Sequence, residues 1–200
     1  MTSAHGVAAV IVAAGAGTRL GGVAKALLPY RGKSYLETIA TTARGVGLVD
    51  AVVVVGEPFG HEVAAHARQL GLRVRVNPAP ARGMASSVAL GFAAIASGPA
   101  AVAWLWPVDH PAVEGATLRQ LIDRFGDPAG GAEVVQPRYR DRGGHPPLIQ
   151  RVLWPRLAAC AGQADGARGI LRSARVVAVD VDDPGVVRDV DTLADLELGA

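Results

Sequence analysis

The sequence is poor in cysteine and lysine, and the scarcity of cysteine excludes two kinds of structural site. Its one cysteine, Cys160, can form neither an intrachain disulfide nor a thiolate zinc site alone, and we expect a small helical hydrophobe there. Lysine occurs only at Lys25 and Lys33, so arginine carries most of the positive charge. The net charge is +2 and no block of like charge occurs, which argues against binding to nucleic acid or a membrane.

Long apolar runs are also absent. The first run, residues 7–14, is far too short to cross a bilayer, and the residues before it lack the basic start of a signal peptide. We therefore expect a cytoplasmic protein. With 200 residues, 50% of them hydrophobic, the chain is expected to form a single domain over residues 1–200 with a substantial core.

Apolar β-branched runs alternate with alanine-rich stretches of helical period. A capping box of Ser34 and Glu37 predicts a helix that ends near Gly45 or Gly47. Such alternation predicts a three-layer α/β/α fold with a mainly parallel, Rossmann-like sheet. The predicted strands are 7–14, 51–56, 72–76, 101–106, 133–136 and 176–181, and the other predicted helices are 61–70, 84–97, 114–125 and 192–198.

The loop after the first strand carries the chemistry of phosphate binding. Gly15 and Gly17 allow a tight turn and bring backbone N–H groups close to a phosphate chain. Arg19 and Lys25 add fixed positive charge, which suits a triphosphate that must release pyrophosphate.

Other interpretations of this loop remain. Gly15, Gly17 and Gly21 also fit a loose dinucleotide fingerprint, but the next strand begins only near Ala51 and the loop carries two cations. A plain strand-to-helix turn would not need those cations. A P-loop is excluded because no Gly-Lys-Ser/Thr follows the glycines.

Carboxylates follow two of the predicted elements. Asp109 comes directly after a buried strand, where it could hold Mg²⁺ against phosphate oxygens or simply form a turn before a proline. Asp189 and Asp191 lie on the same side of an extended segment. One of them could join Asp109 on the metal, although Asp191 or Thr192 could also cap the last helix.

The remaining polar candidates are weaker. The acidic cluster Asp180, Asp182 and Asp183 is interpreted as a solvated turn. His110 and His145 are better site candidates than the other histidines because both lie in loops with proline or glycine. Arg138, Arg140 and Arg142 could grip an anion or form a solvated charged hairpin. His61 and His66 are interpreted as surface or satisfied side chains.

Together these residues resemble the MobA-like nucleotidyltransferases, and among them the molybdenum cofactor cytidylyltransferases most closely. The resemblance covers nearly the whole chain, and six motifs in order carry it. They are Val12-Ala-Ala-Gly-Ala-Gly-Thr-Arg19 with Lys25-Ala-Leu-Leu-Pro29; Asn77 with Gly83-Met-Ala-Ser-Ser-Val-Ala-Leu-Gly91; Val108-Asp109-His-Pro111; Gly144-His145-Pro146; Asp165-Gly-Ala-Arg-Gly-Ile-Leu171; and Asp189-Val-Asp191-Thr192.

The resemblance implies transfer of CMP from CTP to the phosphate of molybdopterin, with Mg²⁺ as cofactor and pyrophosphate as leaving group. It implies three catalytic residues: Arg19, Lys25 and Asp109. It implies nucleotide contacts at Ala13, Ala14, Gly15, Ala16, Gly17, Arg19, Lys25, Asn77, Gly83, Met84, Ser86 and Ser87. Metal would bind at Asp109, with Asp191 or Asp189 as second ligand. The acceptor would lie at His110, Gly144, His145 and Pro146, and the product would pass to a molybdenum-dependent oxidoreductase by a transient contact.

The expected preference for CTP over GTP depends on the methyl group of Ala14. Family members that use GTP have Ala-Gly-Gly where this chain has Ala13-Ala14-Gly15, and the Ala14 methyl narrows the base pocket in favour of a pyrimidine. Two departures from the family pattern are His110, in place of Gln or Met, and one extra residue between Arg19 and Lys25. Alternative functions are use of GTP, transfer to a sugar phosphate or other phosphorylated acceptor, and a non-catalytic cofactor chaperone.

Overall fold

The computed structural model describes residues 6–15, 17, 22–127 and 131–189 of the chain. Its strands are β1 (Val7–Val12), β2 (Pro29–Tyr30), β3 (Lys33–Ser34), β4 (Leu48–Gly56), β5 (Arg73–Asn77), β6 (Val102–Pro107), β7 (Val134–Tyr139), β8 (Arg142–Gly143), β9 (Leu148–Gln150) and β10 (Val176–Asp180). Its helices are α1 (Tyr35–Arg44), α2 (Gly60–Gln69), α3 (Met84–Ile95), α4 (Gly115–Phe125), α5 (Trp154–Ala158) and α6 (Gly166–Ser173).

One eight-stranded sheet organises the fold. Its order is β10-β7-β9-β6-β1-β4-β5, with β8 beside β7. The pairs of β1 with β4 and β6, of β4 with β5, and of β7 with β10 are parallel. Only β8 and β9 run antiparallel to their neighbours within the described part of this sheet. The predicted α/β class with a mainly parallel sheet is therefore confirmed.

Helices cover both faces of the sheet, which is why its central strands are apolar throughout. One hydrophobic cluster joins the sheet to α1, α2 and α4, and a second joins it to α3, α5 and α6. Helix α3 lies unusually close to β1 because Gly91 has no side chain. A Cβ at Gly91 would lie 2.2 Å from Cγ1 of Val10.

The predicted elements within the described residues are present, with ends shifted by a few residues. Ser34 caps α1 by accepting a hydrogen bond from the Glu37 N–H at 3.0 Å, and the helix ends at Gly45 as expected. The sequence reasoning missed α5, α6 and the short strands β2, β3, β8 and β9. Cys160 is buried as a hydrophobe but follows α5 instead of lying in a helix. The predicted helix 192–198 lies outside the described residues.

Membrane-spanning helices require about twenty apolar residues. None of the helices in the described part of the chain has that length and apolarity.

Candidate active site

The carboxyl ends of four parallel strands meet at one edge of the sheet, where ligands of such folds bind. Val12 at the end of β1 lies opposite Pro107 at the end of β6. Gly56 at the end of β4 lies opposite Asn77 at the end of β5. The loops that carry the predicted nucleotide and metal residues therefore begin from adjacent points.

The glycines of the first loop serve different purposes. Gly17 has φ +58°, and a Cβ there would lie 2.1 Å from the carbonyl oxygen of Val23, so only glycine fits. The Gly22 N–H donates to the Gly17 carbonyl at 3.0 Å and closes the loop. Gly15 is exposed and a Cβ there would meet nothing within 4 Å, which leaves its backbone open to a ligand. Two predicted phosphate contacts lie outside the described residues: Ala16 and Arg19.

Lys25 and Asp109, 84 residues apart in the chain, form an ion pair at this edge. Lys25 begins a 3₁₀ turn after the glycine loop, and Asp109 follows β6. The Lys25 Nζ lies 3.5 Å from the Asp109 Oδ2, and the two side chains are only 16% and 26% exposed. The structure therefore places the predicted phosphate-binding cation and the predicted metal-binding carboxylate in the same half-buried space.

The second oxygen of Asp109 fits a metal ion. Its Oδ1 is buried and has no hydrogen-bond partner among the described residues, although such atoms are normally satisfied. A carboxylate oxygen is a ligand that hard divalent cations prefer. Among the described residues, no group of three or more acidic, histidine or cysteine side chains is assembled to hold a metal. An ion at Asp109 would thus take further ligands from water, from phosphate oxygens or from the undescribed Asp191.

The part of the site that is predicted to bind the nucleotide base is tightly packed around Ala14. Ala14 is buried, and a Cβ added at Gly56 would lie 3.2 Å from the Ala14 methyl and 3.1 Å from Cβ of Pro80. Ala14, Gly56 and Pro80 therefore form one contact at the ends of β1 and β4. The sequence reasoning did not find Gly56 or Pro80, because their proximity to Ala14 depends on strand order.

The predicted nucleotide residues at the start of α3 form a hydrogen-bond network. The Asn77 side-chain amide donates to Oγ of Ser86 at 2.8 Å and to Oγ of Ser87 at 2.9 Å, and all three residues are buried. The Ser86 hydroxyl donates to the carbonyl of Gly83, which has φ +89°. Met84, the first residue of α3, is exposed. The serine hydroxyls are thus held by Asn77, and the network fixes the loop that enters α3.

The predicted acceptor residues converge beside Asp109. The rings of His110 and His145 lie 4.9 Å apart at an interplanar angle of 40°. The Nε2 atom of His110 lies 3.9 Å from Oδ1 of Asp109. Gly144 and Pro146, on either side of His145, are buried. The two histidine loops, which are distant in the chain, therefore meet at the metal candidate.

The environment of His145 keeps its ring neutral. Burial, reinforced by the nearby His110, lowers the pKa of His145 to about 4, against the smaller opposing effects of Asp109 and Asp189. The Nδ1 atom of His145 is buried, and no residue in the described part of the chain forms a hydrogen bond with it. Asp189 is exposed but close enough for its charge to act on His145, so it lies on the acceptor side. Asp191 lies outside the described residues.

Asp183 corrects the prediction of a solvated acidic turn. It is only 3% exposed. Its Oδ2 accepts from the Glu114 N–H at 2.9 Å and from the Thr117 hydroxyl at 2.7 Å, and its Oδ1 accepts from the Gly185 N–H at 2.8 Å. No local signal could have found this role, because Glu114 and Thr117 lie 69 and 66 residues away in the chain.

The arginine-rich hairpin of β7 and β8 has its own ion pair. Arg138 donates to both oxygens of Asp180 on β10, at 2.6 and 2.8 Å, and this guanidinium lowers the pKa of Asp180. The Arg140 guanidinium lies 5.0 Å from the ring centre of Tyr139. These contacts agree with a solvated charged hairpin.

The family follows from the comparison of the whole chain with known proteins. The MobA-like NTP transferase domain matches residues 9–179. The chain belongs to this family. The predicted resemblance is confirmed, and with it a nucleotidyltransferase domain on a mainly parallel sheet.

Proteins with known names or structures align with this chain over nearly its full length. The nicotine blue oxidoreductase of Paenarthrobacter nicotinovorans is 36% identical, over 94% of this chain and 93% of its own. The crystal structure of Rv0371c from Mycobacterium tuberculosis H37Rv is 31% identical, with a TM-score of 0.75 and coverage of 98% and 97%. A structure of Rv0371c in complex with manganese matches at 29% identity and a TM-score of 0.70, covering 96% and 97%.

Proposed function

We propose that the protein transfers CMP from CTP to the phosphate of molybdopterin and releases pyrophosphate. The observation that carries this proposal is the half-buried pair of Lys25 and Asp109 at the strand ends, 3.5 Å apart, beside an open glycine loop. A cation and a carboxylate in one shared space provide for a triphosphate and its divalent metal together.

In the proposed reaction an acceptor phosphate oxygen attacks the α-phosphorus of CTP. A new P–O bond forms and the bond to the β-phosphate oxygen breaks, so negative charge grows on pyrophosphate. Lys25, with Arg19, would stabilise that charge. The nucleophile is already ionised near neutral pH, so no side chain has to remove a proton.

The proposal includes a divalent metal, with Mg²⁺ as the expected ion. Asp109 would hold it through the buried Oδ1, with Asp191 or Asp189 as second ligand. The structure of the related Rv0371c in complex with manganese supports the binding of a divalent metal. When bound, such an ion neutralises charge on the phosphate oxygens. The half-buried position of Asp109 strengthens this interaction by excluding water.

The assay is pyrophosphate release from the purified protein with Mg²⁺ or Mn²⁺, molybdopterin, and CTP, GTP, ATP or UTP supplied separately. We expect release with CTP. Release with GTP alone would contradict the proposal that Ala14 favours CTP. Release only with sugar phosphates would contradict molybdopterin as the acceptor. Nucleotide binding without release from any acceptor would favour a non-catalytic carrier.

A second candidate function is reduction of an aromatic heterocycle by a reduced nicotinamide dinucleotide. The observation that favours it is the 36% identity to an enzyme named nicotine blue oxidoreductase. The glycine loop could hold the dinucleotide pyrophosphate, and the facing rings of His110 and His145 could line a site for the heterocycle. Oxidation of the reduced dinucleotide that depends on nicotine blue, with no pyrophosphate release under any condition, would establish this function in place of the first.

A further inference from the structure

Asp183 links helix α4 to the chain segment that ends at the candidate site. The N-cap residue of α4, Glu114, makes no side-chain cap of its own. Asp183 instead binds the start of the helix: its Oδ2 accepts from the N–H of Glu114 and from the hydroxyl of Thr117, at the end of the helix where a negative charge is favourable. The other oxygen, Oδ1, holds the Gly185 N–H. One buried carboxylate thus fixes the 3₁₀ turn Pro184–Val186 against α4.

The same turn holds both histidines of the acceptor side. The His145 N–H donates to the Val186 carbonyl at 2.7 Å, and the Nδ1 of His110 lies 3.4 Å from the Gly185 carbonyl. The turn packs closely on the chain at Ala112, because a Cβ at Gly185 would lie 2.5 Å from the carbonyl oxygen of Ala112 and no side chain fits there. A movement of the turn would therefore act directly on the backbone of His145 and on the ring of His110.

The segment that leaves this turn reaches the acceptor side at Asp189, whose charge acts on His145. We propose that Asp183 is a positioning residue, which fixes His110, His145 and the chain as far as Asp189 relative to Asp109. This inference rests on the proposed function for its substrates. Asp183 itself lies outside the reacting centre and acts only through the turn.

The test compares Asp183→Asn with Asp180→Asn. The first substitution keeps the side-chain volume but turns an amide NH₂ group toward one of the N–H or O–H donors. The control residue, Asp180, forms an exposed pair with Arg138. We expect kcat and the affinity for Mn²⁺ to fall about 10- to 100-fold in Asp183→Asn, as for the loss of other groups that orient metal ligands. The Kd of CTP should stay at the wild-type value, because the glycine loop and α3 hold the nucleotide. Asp180→Asn should match the wild type throughout.

A second variant covers failure of Asp183→Asn to fold. Thr117→Val removes one of the three donors at similar volume and should give the same pattern with a smaller loss. The proposal is overturned if the folded variants keep wild-type kcat and Mn²⁺ affinity while only the melting temperature falls. It is equally overturned if kcat and CTP affinity fall together.

A readout that needs no turnover separates this inference from the proposed function. The ring resonances of His110 and His145 should shift in Asp183→Asn and stay in place in Asp180→Asn. If the wild type releases no pyrophosphate, the proposed function fails. The resonances and the Mn²⁺ affinity then still decide whether Asp183 positions the two loops.

Discussion

Replacing Lys25 should affect metal and nucleotide binding in opposite directions. Lys25→Met keeps most of the side-chain length and removes the charge that lies 3.5 Å from Asp109. At that distance and an effective dielectric constant of about 20, the attraction is at most ~5 kcal/mol. Solvent exposure and the cost of desolvation reduce the net value to about 1 kcal/mol.

Loss of this contact should change two binding constants, those for Mn²⁺ and for CTP. Without nucleotide, a divalent ion competes with the Lys25 ammonium for Asp109, so Lys25→Met should bind Mn²⁺ roughly fivefold more tightly. When nucleotide is bound, we expect the Lys25 ammonium group to contact the phosphates instead of Asp109. Loss of a charge-assisted contact of about 1.5–3 kcal/mol should then weaken CTP binding on the order of 10- to 100-fold.

The assay is titration of Mn²⁺ by electron paramagnetic resonance, and of CTP by calorimetry. The matched control is Lys33→Met at the other lysine, which is exposed and lies 3.8 Å from Glu37. Both constants should stay at wild-type values there. Unchanged CTP affinity in Lys25→Met would refute the phosphate role, and weaker Mn²⁺ binding without nucleotide would refute the competition.

Three further predictions concern other parts of the site. Asp109→Asn should lower turnover on the order of a hundredfold or more and leave the melting temperature unchanged. Wild-type rates of pyrophosphate release in this variant would contradict the assignment of Asp109 as a metal ligand. Ala14→Gly should raise the ratio of kcat/KM for GTP over CTP about tenfold, because it removes one methyl group beside Gly56 and Pro80. An unchanged ratio would show that Ala14 does not select the nucleotide base. The pKa of His145 is lowered from its usual 6.5 to about 4, so the unfolded chain binds the extra proton between these values. The free energy of unfolding should therefore fall as pH drops from about 6.5 to about 4, by at most about 1.4 kcal/mol per unit, and His145→Asn should lack this part of the slope in denaturation curves.

Local patterns in the sequence were sufficient for most of the fold. Continuous apolar runs marked the buried parallel strands, and the Ser34 cap with Gly45 gave the ends of α1. The elements that this reasoning missed are short or half-exposed, such as β9 and α6, and their apolar residues are too few to show a period. Their structure depends on packing against the rest of the sheet.

The site could be predicted in part. The rule that ligands bind at the carboxyl ends of parallel strands placed the glycine loop and Asp109 at one edge, and the family resemblance added Asn77. The same rule could not show that Asn77 occupies the hydroxyls of Ser86 and Ser87, because that contact needs the orientation of all three side chains. Nor could it show that His110 and His145 face each other.

The sequence by itself determined the family, the order of the longer strands and helices, and the residue types that meet at the sheet edge. Only the tertiary structure decided which of them touch. Lys25 reaches Asp109 across 84 residues, and Asp183 binds the start of a helix at Glu114, 69 residues before it. The physical reason is that the local period of apolar residues shows which face of a helix or strand is buried. Which two polar groups meet depends instead on the tertiary packing that removes both of them from water.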